Sequence, residues 1–244
     1  IIKKTNNTFI PLDSEHFSLN NLKFDNKNIN NIHITASGGP FYFNKKINLK
    51  KVSHKQVLSH PKWKMGNNNL IDSSNFINKI LEIFELSYIY NIELNKINFL
   101  ISKEALIHSI VHFKDDTTSI NCFENNMLIP LIYPLRFFYD LKNLSKSRFY
   151  LGLSNLKVEL PTDKRFIFFK YYKKMKLLNH KEQINLMLLN NVAHKLFLSN
   201  KLKYNDIIKF IMKRISFKSN NSNFKSFSQI LNYIHDFQNQ LKKL

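Results

Sequence analysis

Asn31-Ile32-His33-Ile34-Thr35-Ala36-Ser37-Gly38-Gly39-Pro40-Phe41 is the stretch on which the fold turns. Isoleucines at every second position, with Thr35 after them, fit a short strand, which runs straight into two glycines and a proline. A tight loop must follow, because Gly admits positive φ and Pro can neither donate to a ladder nor continue it. Next comes Ser53-His54-Lys55-Gln56, which has the spacing of a capping box, and Pro61 closes the short helix it begins. Strand, loop and helix in this order point to mixed α and β structure.

Further along, Asp72-Ser73-Ser74-Asn75 supplies cap residues for a helix expected to run to about Tyr90. Its apolar stripe is Ile77, Ile80, Leu81, Phe84 and Tyr88, with Asn78, Lys79, Glu82 and Glu85 opposite. Lys96 to Phe113 reads as strand, and Lys114-Asp115-Asp116-Thr117 turns it into a second strand through Phe123. After Pro134 the pattern changes. Residues 135–164 read as a connecting segment, followed by helices near 165–178, 181–200, 205–215 and 226–244, with a Ser- and Asn-rich loop over 216–225. The expected fold class is α+β: a mixed α/β domain with a small sheet over 1–134, the connector at 135–164, and an all-α bundle over 165–244.

Thirty-seven Lys and Arg against 17 Asp and Glu give a formal charge of +20, but the lysines are scattered among Asn, Ile and Phe and form no stripe. No nucleic-acid partner is expected from such a pattern. Cys122 is the only cysteine, so no intrachain disulfide can form. The apolar run from Met127 to Leu135 is broken by Pro130 and Pro134 and is too short for a bilayer, so no membrane partner is expected. The four glycines, Gly38, Gly39, Gly66 and Gly152, cannot make a dinucleotide fingerprint. The chain begins at Ile1 without an initiator Met, and it reads as part of a longer product.

Chemistry-bearing residues occur in three places. Asp13 and Glu15, two hard oxygen ligands at i and i+2, could begin a magnesium or manganese site that a third carboxylate would complete. Asn78, Lys79 and Glu82 offer an amide, a cation and a carboxylate within about one turn of helix, and Ser73 stands just before that helix, where free N–H groups favour a phosphate. Each cluster is by itself equally an ordinary solvated loop or helix face. His108 and His112 would share one face of a strand, where a structural role is the expectation.

In wording and order, Leu12-Asp13-Ser14-Glu15-His16, Thr35 to Phe41, His60-Pro61-Lys62-Trp63-Lys64-Met65-Gly66, Ile71-Asp72-Ser73 and Asn78-Lys79-Ile80-Leu81-Glu82 resemble the 1-deoxy-D-xylulose 5-phosphate reductoisomerase family. The likeness is dense before residue 113 and continues thinly through Pro161 to Phe166 and Phe197 to Ile207. It implies a metal site of Asp13, Glu15 and Glu82 for Mn²⁺ or Mg²⁺, and residues 1–134 as the catalytic domain. By the same carry-over Ser14, Glu15 and Glu82 contact the sugar phosphate substrate, and Ser37, Ser73, Asn78 and Lys79 grip its phosphate. His60, the catalytic residue implied, closes over the substrate with Trp63 and Met65, while Gly66 lies against the nicotinamide of NADPH.

The implied activity is metal-assisted skeletal rearrangement and NADPH-dependent reduction to 2-C-methyl-D-erythritol 4-phosphate, in the non-mevalonate route to isoprenoids. An NADPH-binding domain upstream of Ile1 and a homodimer are expected with it, and the AT-rich character of the sequence suggests a plastid, an apicoplast. The rival expectation is a degenerate, non-catalytic homologue that serves as a binding or dimerisation module. Its motivation is Ile80, where the family has Gly, and the stretch Ser102-Lys103-Glu104-Ala105, where the family has His-Pro-Gln-Ser.

Overall fold

A computed structural model describes residues 9–22, 25–60, 65–137, 156–215 and 224–242. Contacts divide the chain into two compact units, residues 1–38 with 82–161 and residues 39–81 with 162–244.

The first unit is built on a four-stranded sheet in the order β2-β1-β3-β4. Its strands are β1 (Ile29–Ala36), β2 (Ile97–Ile101), β3 (Ile107–Phe113) and β4 (Thr118–Cys122). β1 pairs in parallel with β2, from Ile32↔Ile97 to Ala36↔Ile101, and antiparallel with β3, where Ile34 faces Ser109. A parallel neighbour requires a long crossover, and the chain between β1 and β2 supplies it. β2 alternates as a half-buried strand should, with Ile97, Phe99 and Ile101 buried and Asn98 and Leu100 between them. β3, central and paired on both sides, is buried over Ile107–Val111.

The expected single strand from Lys96 to Phe113 is therefore two. Ala105, at φ 54, interrupts it in a left-handed conformation that no ladder accommodates. The hairpin that follows forms as read. Asp116 takes φ 64 in the turn, Phe113 N donates to Thr117 O at 2.9 Å, and β3 pairs antiparallel with β4. His108 stacks on Phe123 with ring centroids 3.8 Å apart, and His112 Nδ1 lies 2.9 Å from Thr118 Oγ1, so both histidines serve the sheet. Helix α1 (Ser14–Asn20) packs on this sheet, where Ser18 Oγ lies 2.5 Å from Ser109 Oγ and Phe17 meets Phe123 edge to face. A short helix, α5 (Leu128–Ile132), follows β4.

In the second unit, Ser53 and Gln56 close the expected capping box of helix α2 (His54–Val57), with Gln56 N donating to Ser53 Oγ and Ser53 N to Gln56 Oε1. The helix expected to run to about Tyr90 after the cap residues Asp72 to Asn75 forms as α4 (Ile77–Tyr90), but an unexpected helix, α3 (Asn67–Asn75), precedes it, and the two are parted by Phe76 at φ 71. Asn75 Oδ1 accepts from Ile77 N at 2.9 Å and so opens α4. Phe76 is buried among aromatic rings, 4.9 Å from Phe166 and 5.2 Å from Phe169, which offsets the strain of its backbone.

Along α4, Ile77, Ile80 and Phe84 are buried as expected, whereas Tyr88 is 53% exposed. The face read as opposite is mostly covered, because Lys79 and Glu82 are buried and only Glu85 is exposed.

The tail forms α6 (Ile167–Met175), α7 (His180–Leu198), α8 (Ile207–Arg214) and α9 (Phe227–Leu241), each inside its expected range or within a residue of it. Asn179 and Glu182 form a capping box at the start of α7. Ile207, Ile208, Ile211 and Met212 of α8 are buried, each contributing about 1.5–3 kcal/mol. Much of the expected 135–164 connector and most of the 216–225 loop lie outside the described residues. Among the described residues no helix is long and apolar enough to cross a membrane.

Candidate metal centre

Asp13 is the N-cap of α1. Its Oδ1 accepts from Glu15 N at 3.1 Å and from His16 N at 3.2 Å, which fixes the carboxylate at the start of the helix. Glu15 follows in the first turn, 9% exposed, and Glu82, 4% exposed, comes from α4. One oxygen from each of the three lies within 4.8 Å of the others. In an octahedral shell with bonds of about 2.1 Å, ligand oxygens sit roughly 3 to 4.2 Å apart, so three oxygens at this spacing could share one ion after small side-chain adjustments. No other such group of three occurs among the described residues.

His16 holds this arrangement together, a role the sequence reading did not assign it. The ring is buried, with Nδ1 2.9 Å from Asp13 Oδ1 and Nε2 3.3 Å from the carbonyl oxygen of Glu82. Both neighbours are acceptors, so a doubly protonated ring satisfies both. Burial opposes the charge, but the hydrogen bond to Asp13 and the charges of Asp13 and Glu85 outweigh it and raise the pKa. Tyr90 Oη donates to His16 O at 2.9 Å and ties the far end of α4 to α1. The only signal in the sequence was His16 standing three residues after Asp13, inside the first turn.

Ser14 donates its hydroxyl to Glu15 Oε2. Ser37 follows the end of β1 and is half-buried. The glycines after it adopt positive φ, 83° for Gly38 and 56° for Gly39, as the tight loop required. In the second unit, Ser73 precedes α4, as expected, but it lies inside the last turn of an unexpected helix, α3, which begins upstream at Asn67. The helix-dipole argument for a phosphate at Ser73 therefore falls, since the end of α3 presents carbonyls. Asn78 is half-buried and Lys79 buried, both in the first turn of α4. His60 is half-buried, and desolvation takes its imidazole down to about 4, so it is neutral near pH 7. Trp63 lies outside the described residues, Met65 is half-buried, and Gly66 is the exposed N-cap of α3.

A small mixed sheet carrying a three-carboxylate cluster defines an α+β protein with donors suited to a hard divalent cation. Residues 9–90 match the family described as 1-deoxy-D-xylulose 5-phosphate reductoisomerase C-terminal domain. The 1-deoxy-D-xylulose 5-phosphate reductoisomerase of Pelagibacter ubique is 36% identical over 217 residues, covering 87% of this chain and 55% of its own length. That of Clostridium novyi is 32% identical over 94% of this chain and 60% of its own, and an apicoplastic one of Plasmodium falciparum is 33% identical over 84% and 45%. The chain is thus similar to the 1-deoxy-D-xylulose 5-phosphate reductoisomerase family, and it spans about half to three-fifths of the length of these relatives. In fold it is similar to a crystal structure of DOX-P reductoisomerase in complex with NADPH, fosmidomycin and magnesium, with a TM-score of 0.85 at 24% identity over 99% of this chain and 64% of that one.

Proposed function

We propose that this chain carries the metal- and substrate-binding part of a 1-deoxy-D-xylulose 5-phosphate reductoisomerase. The reaction is rearrangement of the sugar phosphate skeleton and reduction by NADPH to 2-C-methyl-D-erythritol 4-phosphate, in non-mevalonate isoprenoid biosynthesis. The convergence of Asp13, Glu15 and Glu82 carries this reading. Three carboxylate oxygens suit Mn²⁺ or Mg²⁺ and leave positions in the shell for substrate oxygens. When bound, the ion supplies Lewis acidity toward the substrate carbonyl.

The chain's own groups do the rest. His16 holds Asp13 and the Glu82 backbone in place, and Ser14 offers a hydroxyl beside Glu15. Ser37, Ser73, Asn78 and Lys79 bind the phosphate. His60, kept neutral by burial, hydrogen-bonds substrate without adding charge. Among the described residues nothing lies within 4 Å of a Cβ built at Gly66, which leaves room for a nicotinamide ring.

Residues 1–134 would form the catalytic domain, 135–164 the connector and 165–244 a helical bundle, in a homodimeric enzyme. Localisation in a plastid of apicoplast type is supported by the AT-rich composition and the apicoplastic relative. Against the degenerate reading, all three carboxylates are present and converge, and Ile80 is fully buried.

Manganese-dependent NADPH oxidation on the sugar phosphate, in the protein at its natural length, is the test. Glu82→Gln should abolish it and weaken Mn²⁺ binding by at least about a hundredfold. Unchanged activity and affinity would remove Glu82 from the site.

A further inference from the structure

Asp72 is buried and accepts three contacts from α7: Asn190 Nδ2 at 2.9 and 3.0 Å from its two oxygens, and His194 Nε2 at 2.7 Å from Oδ1. Asn190 and His194 stand four apart on one face of that helix, 2% and 1% exposed. Asn190 Oδ1 and His194 Nδ1 have no hydrogen-bond partner among the described residues. Two core side chains left half-satisfied are a poor choice for stability alone, since apolar residues would pack there at no desolvation penalty. What they hold is the segment beside Ser73. Tyr204 Oη donates to Ser74 O at 2.7 Å, and Gly39 approaches so closely that a Cβ on it would lie 3.0 Å from Ser73 O. Ser73 itself is half-buried.

We propose that Asn190 and His194 are positioning residues for the phosphate end of the substrate. By fixing Asp72 they set Ser73 and, past the left-handed Phe76, the first turn of α4 with Asn78 and Lys79. This rests on the phosphate role proposed above for Ser73, Asn78 and Lys79.

The test compares Asn190→Ala, His194→Leu and His194→Gln in the protein at its natural length, with Lys79→Ala as control. Inorganic phosphate binding is measured by calorimetry, Mn²⁺ binding by electron paramagnetic resonance, and KM and kcat by NADPH oxidation. Asn190→Ala and His194→Leu should weaken phosphate binding and raise KM by about ten- to a hundredfold, with Mn²⁺ affinity and kcat held within a few-fold. His194→Gln, which keeps a donor toward Asp72, should recover most of the loss. Should Asn190→Ala not fold, Asp72→Asn, which conserves volume but mismatches the donors, must show the same KM effect. Unchanged phosphate binding in these variants, where Lys79→Ala weakens it, overturns the positioning role alone. Equal loss of phosphate and Mn²⁺ binding also overturns it, as the mark of a merely structural cluster. If Lys79→Ala leaves phosphate binding intact, the phosphate reading fails and the inference with it.

Discussion

His16 bridges Asp13 and Glu82: its Nδ1 lies 2.9 Å from the Asp13 carboxylate and its Nε2 3.3 Å from the Glu82 carbonyl oxygen, although His16 and Glu82 stand 66 positions apart in the chain. One buried ring thus fixes both a carboxylate and the backbone that carries another. Replacing it by Leu, which fills the space without either hydrogen bond, should weaken Mn²⁺ binding by about ten- to a hundredfold. Calorimetric titration measures this, and unchanged affinity would show that Asp13 is held sufficiently by its cap bonds.

Gly39 combines φ +56 with a 3.0 Å approach of its would-be Cβ to Ser73 O. Gly39→Ala adds both backbone strain and a clash with main chain that cannot rotate away. A destabilisation of about 1–3 kcal/mol is expected. Urea unfolding monitored by circular dichroism gives the value, and a change below about 0.5 kcal/mol would contradict it.

His60 should make stability fall in mild acid. Burial lowers its folded pKa from 6.5 to about 4, so the unfolded chain takes up the proton first as pH drops. The contribution is whole above pH 6.5 and is lost progressively toward pH 4. Comparing the melting temperature of the protein with that of His60→Asn over this window tests it. Parallel curves would refute the shift.

Asp163 should matter at lower pH. Burial alone would raise its pKa, but hydrogen bonds from Arg165 and Lys45 prevail and bring it to about 2. Its stabilisation is therefore complete above the ordinary value of 3.8 and disappears as pH falls through 2. The same carboxylate orients Arg165, whose guanidinium donates to the carbonyls of Phe41, Asn44 and Ile47 and so pins the loop after the glycines. Asp163→Asn should cost about 1–3 kcal/mol, below the value for a fully buried pair because the Lys45 side chain is 60% exposed. Chemical denaturation at pH 7 reads this directly, and no loss there would show that Arg165 is held by the carbonyls alone.

Features written within a few neighbouring residues were legible. The strand ending at Ala36, the Gly38-Gly39 loop, the Ser53–Gln56 box, the hairpin at Asp115–Asp116 and the tail helices each arise from backbone preferences acting over one turn or one strand. Helix α3 was not, because Asn67-Asn68-Asn69 and Asp72-Ser73-Ser74-Asn75 read as loop and caps, and only the surrounding aromatic rings make the left-handed Phe76 after it acceptable. Ser73 was misplaced for the same reason, its neighbours reading as caps when the helix had already begun at Asn67.

The sequence by itself determined the local elements, the family likeness and the candidacy of Asp13, Glu15 and Glu82 as ligands, since donor chemistry belongs to the side chain. Tertiary structure alone decided that β1 lies between β2 and β3, that residues 39–81 group with 162–244, that His16 joins Asp13 to Glu82, and that Asn190 and His194 reach Asp72. Pairings across such distances are set by which buried faces fit one another and which buried polar groups find partners, and neither is fixed until the chain has folded.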